Sequence, residues 1–151
     1  MNIKLLPALA AGVLLLAGCG GSGEGAGARG PVSESRTAAF KSMMPEYLSM
    51  GKVVKGEEDF DAAKFRANAA AFAQNARKPF EHFQNDPEGN GYTLPTVWQK
   101  PAEFKAEEEK FIAAVDELNA KAQSGDFEAI KAAYAKTGES CKSCHSVFRS
   151  N

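Results

Sequence analysis

The sequence predicts an all-α protein built as an antiparallel four-helix bundle. Apolar residues recur at spacings of three and four along four segments from Ser33 onward. Ala, Glu, Lys and Phe dominate the body of the chain and strand formers are sparse, which favours helices. Two connections are short and one is longer, an arrangement that lays consecutive amphipathic helices side by side and antiparallel.

The amino terminus lies outside that fold. Lys4 opens residues 1–18, and Leu5 to Ala17 form an apolar stretch too short to span a bilayer comfortably. It runs into Leu16-Ala17-Gly18-Cys19, which resembles the lipobox of bacterial lipoproteins. That resemblance implies a signal peptide over 1–18, cleavage before Cys19 and acylation of its thiol. Gly20, where inner-membrane members usually carry Asp, leans towards the outer membrane. An ordinary secretory signal that happens to hold a Cys is the alternative. Residues 19–32 are Gly-rich and predict a flexible, lipidated tether ahead of a bundle domain over 33–151.

The first helix carries Arg36, Phe40, Met43, Tyr47, Met50 and Val54 on one stripe. Pro45 inside it predicts a kink or a division, and Gly51 and Gly56 weaken its end. The second follows a cap at Asp59 or Asp61 and runs through Phe65, Ala69, Phe72, Ala76, Phe80 and Phe83, bending near Pro79. Turn formers from Asn85 to Pro95 make the long connection. The third helix has Pro101 near its start and carries Phe104, Glu108, Phe111, Val115, Leu118 and Ala122, with Ser124-Gly125 as its stop. Asp126 caps the fourth, whose stripe is Phe127, Ile130, Tyr134, Thr137, Cys141, Cys144 and Phe148.

Charge is nearly balanced, 18 basic residues against 19 acidic, so no electrostatic footprint for nucleic acid exists. Of three cysteines, one lies in the lipobox and two near the carboxy terminus, leaving no pair for a structural disulfide.

Cys141-Lys142-Ser143-Cys144-His145 is the sharpest chemical signal. Two thiols separated by two residues reach one porphyrin edge and add to its vinyl groups, and the next residue offers an imidazole to iron. The pattern predicts one covalent haem c, held in the bundle core near the carboxy terminus with His145 on the iron. A redox dithiol belongs with a strand–helix unit, which is missing from the pattern. A zinc site needs further ligands, and His82 is the other free candidate. Met43, Met44, Met50 and His82 are the residues able to take the sixth iron position. Core packing for the Met residues and solvation for His82 are the plainer readings.

The chain resembles the cytochrome c′ family, the class II c-type cytochromes, over essentially all of Ser33 to Arg149. The resemblance rests on Arg36 followed one turn later by Phe40, on Val53-Val54-Lys55-Gly56, on Trp98 with Phe104, and on Cys141 to His145 followed by Phe148-Arg149. It implies that His145 is the sole protein ligand of a five-coordinate, largely high-spin iron. It places Arg36 near a haem propionate with Thr37 beside it, Phe40 over the distal face, Phe80 as an aromatic on the haem and Arg149 by the proximal face. Low-spin relatives carry Met where this chain has Phe40. Thr37 and Pro45 depart from commoner family choices.

The function so implied is binding of nitric oxide, and under some conditions carbon monoxide, for buffering, detoxification or sensing at the cell envelope. The protein is expected to be periplasmic, lipid-anchored and not an enzyme, since no distal His/Arg acid–base pair supports peroxidase chemistry. Electron transfer with periplasmic redox partners is the alternative. The resemblance also implies homodimers through the first two helices.

Overall fold

The computed structural model describes residues 27–151, so the expected signal peptide, Cys19 and most of the expected tether fall outside the described residues. Helix α1 spans Pro31–Val54, α2 Ala62–Asn75, the short α3 Thr96–Gln99, α4 Pro101–Ser124 and α5 Phe127–Phe148. α1, α2, α4 and α5 make the expected antiparallel bundle, with α1 against α2, α2 against α4 and α4 against α5.

α1 starts two residues before Ser33. Pro31 occupies its first turn, where a missing N–H costs nothing, and Gly30 and Ser33 exchange hydrogen bonds of 3.0 Å. The end of the expected tether is therefore part of the fold. Gly27 and Gly30 donate to the carbonyls of Gly91 and Gly89, each at 3.0 Å, and Gly91 donates back to Ala28 at 2.9 Å. Glycine permits this approach, because a Cβ on Gly30 would collide with the Asp86 carboxylate.

Pro45 does not divide α1, which runs on as one helix of 24 residues. The proline is exposed, and the inward stripe carries on across it from Met43, 5% exposed, to Met50, fully buried. α2 ends at Asn75 instead of continuing to Phe83. Pro79 has no N–H for the Asn75 carbonyl, and the chain tightens into a 3₁₀ turn over Lys78–His82. That turn carries Phe80 and leads into Phe83.

The caps hold at the other ends. Asp61 accepts from the amides of Ala63 and Lys64, both at 2.9 Å, and Asp126 from that of Ala129 at 3.1 Å. Gly125 closes α4 in the left-handed conformation, φ 76°. A short helix unforeseen in the sequence pattern, α3, precedes α4 and carries Trp98.

Phe65, Phe72, Phe111, Val115, Leu118 and Ile130 fill the core. Phe60 against Phe127, 4.6 Å between ring centroids, closes one end of the bundle. At the other end the Leu94 amide donates to the Phe148 carbonyl at 3.0 Å and the Ser150 amide to the Tyr92 carbonyl at 2.9 Å. The start of α1 and the end of α5 meet this same connection. No helix among the described residues is long and apolar enough to cross a membrane.

Candidate functional site

The closing seam of the bundle, between α1 and α5, fixes the register of the site. The Tyr47 hydroxyl lies over Gly138, 2.8 Å from where a Cβ would stand. Seven residues from that point towards the Arg36 end, α1 presents Phe40 and α5 presents His145. Both helices rise about 1.5 Å per residue, so Phe40 and His145 stand at the same depth on facing helices.

Cys141 and Cys144 lie one turn apart on α5, half-buried and free. Burial pushes both thiols up to about 11, Cys144 with help from the charge of Glu107, so both stay protonated at neutral pH. Free thiols are what thioether formation requires. His145 follows in the last turn. The residue is exposed, yet partial desolvation and then the Arg149 charge lower its basicity. A neutral imidazole with a free lone pair is the form that binds iron.

An aromatic wall stands at the same end of the bundle. Phe40 meets Phe80 edge-on at 6.3 Å and Phe83 at 6.2 Å. Phe83 lies 4.6 Å from Phe104, and Phe104 lies 5.3 Å from Phe148. The sequence placed Phe83, Phe104 and Phe148 on helical stripes, and Phe104 and Phe148 also among the marks of the resemblance, without joining them; the 3₁₀ turn and the end of α5 gather them into one surface. Paired thiols, an adjacent imidazole and an apolar aromatic wall fit a porphyrin with a liganded iron, and they would hold it through Cys141, Cys144 and His145.

The other predicted site residues have definite places. Arg36 is 3% exposed and donates to the His82 carbonyl at 2.7 Å and the Asn90 carbonyl at 3.1 Å, with its guanidinium 5.0 Å from the Phe83 ring centre. Desolvation lowers its pKa against the opposing pull of Asp86. Arg36 thus pins the long connection, a task additional to the propionate contact that the resemblance implies. Thr37 donates to the Ser33 carbonyl at 2.9 Å. Arg149 is exposed, its guanidinium 5.0 Å from the Tyr92 ring centre.

Among the alternative iron ligands, Met50 packs in the core beyond Tyr47, and Met44 is 36% exposed. Met43 is buried one turn from Phe40. His82 is half-buried, short of the solvation expected for it.

Sequence reasoning missed Asp86 altogether. Its carboxylate is 3% exposed and accepts from the Ser33 amide at 2.8 Å and the Glu88 amide at 3.1 Å. The only local signal was its place among turn formers.

The geometry agrees with comparison against known proteins. A family model described as Cytochrome C' matches residues 32–149. Cytochrome c' from Rubrivivax gelatinosus is 36% identical over 122 residues, which cover 80% of this chain and 95% of that one. The structure of cytochrome c prime from Shewanella frigidimarina aligns with a TM-score of 0.75 at 35% identity, covering 80% of this chain and 94% of that one. A nitric oxide complex of a cytochrome c prime variant from Alcaligenes xylosoxidans gives the same TM-score at 32% identity, with the same coverage of each chain. With its attachment motif at Cys141 to His145, the chain belongs to the cytochrome c′ family and carries a single covalent haem c.

Proposed function

We propose that this protein binds small gaseous ligands, chiefly nitric oxide and also carbon monoxide, as a buffer, sink or sensor at the cell envelope. The position of Phe40, level with His145 on the facing helix, carries the reading. A phenyl ring has no atom to give to iron, so the face opposite His145 has no ligand from that position.

Haem, when bound, supplies the iron position at which such a gas is held. The chain's residues do the rest. Cys141 and Cys144 fix the porphyrin edge, and His145 holds the iron from α5. Phe40, backed edge-on by Phe80 and Phe83, offers an apolar surface without hydrogen-bond donors. Such a surface disfavours oxygen, whose bound form gains from a donor, relative to nitric oxide and carbon monoxide. Arg36 beside Phe83 is engaged by the His82 and Asn90 carbonyls and so is not a free acid–base group at that face, which supports a binding protein over an enzyme. The nitric oxide complex of the Alcaligenes relative supports the same choice of ligand. Uptake of nitric oxide by ferrous protein, followed by absorption and electron paramagnetic resonance, is the test; no uptake refutes the reading.

Electron transfer with periplasmic redox partners is the second reading. It rests on Met43, buried one turn from Phe40, and a methionine–iron absorption band in the ferric protein would favour it. The site of action is the periplasm, with Cys19 acylated and holding the domain at the outer membrane. Cys19→Ser should move the protein from the membrane fraction to the soluble fraction; unchanged fractionation removes the anchor. Exposed Met44 and Leu48 on α1 support a homodimer through the first two helices, which sedimentation equilibrium tests.

A further inference from the structure

α1 and α5 share a contact with an internal symmetry. Tyr47 and Gly51 lie one turn apart on α1; Tyr134 and Gly138 lie one turn apart on α5. The Tyr47 hydroxyl sits over Gly138, 2.8 Å from the place of a Cβ, and the Tyr134 hydroxyl sits over Gly51 more closely still. Between the helices the two rings stack, centroids 4.5 Å apart and planes 12° apart. The Tyr134 hydroxyl also donates to the Tyr47 carbonyl at 3.2 Å. Each tyrosine fills the notch that the other helix's glycine leaves.

A tyrosine tip is ordinarily free to swing from an added methyl group. These rings are not free. Each is stacked on the other, and Tyr47 packs on Phe72 as well, 5.3 Å between centroids. Burial raises the pKa of both phenols, so the contact stays neutral across the physiological range. A methyl group at Gly51 or Gly138 must therefore push the helices apart, because close-packed interiors transmit such strain.

The contact lies one turn from Cys141 and seven residues from Phe40. Whatever separation it sets is inherited by the space between Phe40 and His145, since both ride on the same two stiff helices. We propose that Tyr47, Gly51, Tyr134 and Gly138 form a clasp that fixes the spacing of the helices bearing Phe40 and His145, and so sets how readily a ligand reaches the iron. The inference deepens the gas-binding reading and rests on it. The four residues act as positioning residues, touching neither ligand nor iron.

The test uses the haem-loaded protein, with carbon monoxide association to ferrous protein as the rate and near-ultraviolet circular dichroism as the report on the tyrosine stack. Gly138→Ala should alter the dichroism and raise the association rate roughly three- to tenfold by lifting Phe40. Tyr47→Phe added to Gly138→Ala removes the oxygen that meets the new methyl group and should return the rate towards that of the unsubstituted protein. Tyr47→Leu removes the prop, lets the helices close and should lower the rate; it carries the test alone if Gly138→Ala fails to accumulate. Altered dichroism with unchanged rates overturns the clasp, leaving a packing contact without control of the iron. Ferrous protein that takes up no carbon monoxide overturns the open-iron reading instead, and the ligand-gating role with it.

Discussion

The Arg36 guanidinium donates to the His82 carbonyl oxygen across 2.7 Å, from the first turns of α1 to the end of the 3₁₀ turn. A second bond reaches the Asn90 carbonyl, so one buried cation holds both ends of a loop. Arg36→Leu leaves these carbonyls without their donor and should lower stability by about 2–3 kcal/mol, read from denaturant unfolding of the holoprotein. Arg36→Lys should recover only part of that loss, because a point-like ammonium lacks the fork that spans both acceptors. Equal stability for Leu and Arg at this position would remove the pinning role.

Asp86 gives the same region a pH dependence. The Ser33 amide, more than any other partner, holds its carboxyl below the usual carboxylate range, with smaller help from other amides and Arg36. A lowered folded-state pKa means a contribution that is complete above the unfolded value, about 3.9, and lost as pH falls through the folded one. Stability of the unsubstituted protein should therefore drop more steeply on acidification below about pH 4 than that of Asp86→Asn. Parallel curves would show that the carboxylate charge does nothing there.

Pro45 should be replaceable with profit. It is exposed in the middle of α1, where it removes one helical hydrogen bond and gives the core nothing visible. Pro45→Ala should stabilise the protein by about 1–3 kcal/mol, checked by thermal melting. An unchanged or lower melting temperature would indicate that the proline serves a contact on the outer face.

The bundle and its chemistry were legible because both are local. Stripes at spacings of three and four gave the four long helices, Asp126 gave one cap and the choice of Asp59 or Asp61 another, and Cys141 to His145 gave the haem. What escaped depends on partners far along the chain. The early stop of α2 comes from an N–H missing at Pro79, which is felt four residues back at Asn75. The pairing of residues 27–30 with 89–91 looks, locally, like any flexible Gly-rich run. Phe83 carried no mark that separated pocket wall from core until the 3₁₀ turn brought it against Phe104. Gly51 read only as a weak point near the end of the first helix and Gly138 drew no reading, although their missing side chains are what lets α1 and α5 meet.

Phe40 stands level with His145 on the facing helix, and under the proposed reading its removal has a definite consequence. Phe40→Ala should raise the association rate of carbon monoxide by roughly tenfold or more while leaving the haem bonds to Cys141 and Cys144 intact. An unchanged rate would mean that the ring does not cover the iron.

The central claim is that the iron has one protein ligand, His145, and an open face beneath Phe40. Electron paramagnetic resonance and absorption spectra of ferric protein, and of ferrous protein before and after nitric oxide, test it most directly. The account predicts a largely high-spin ferric signal without a methionine–iron band, and a new nitric oxide signal in the ferrous protein. A low-spin, six-coordinate ferric spectrum with ferrous protein indifferent to nitric oxide would contradict it.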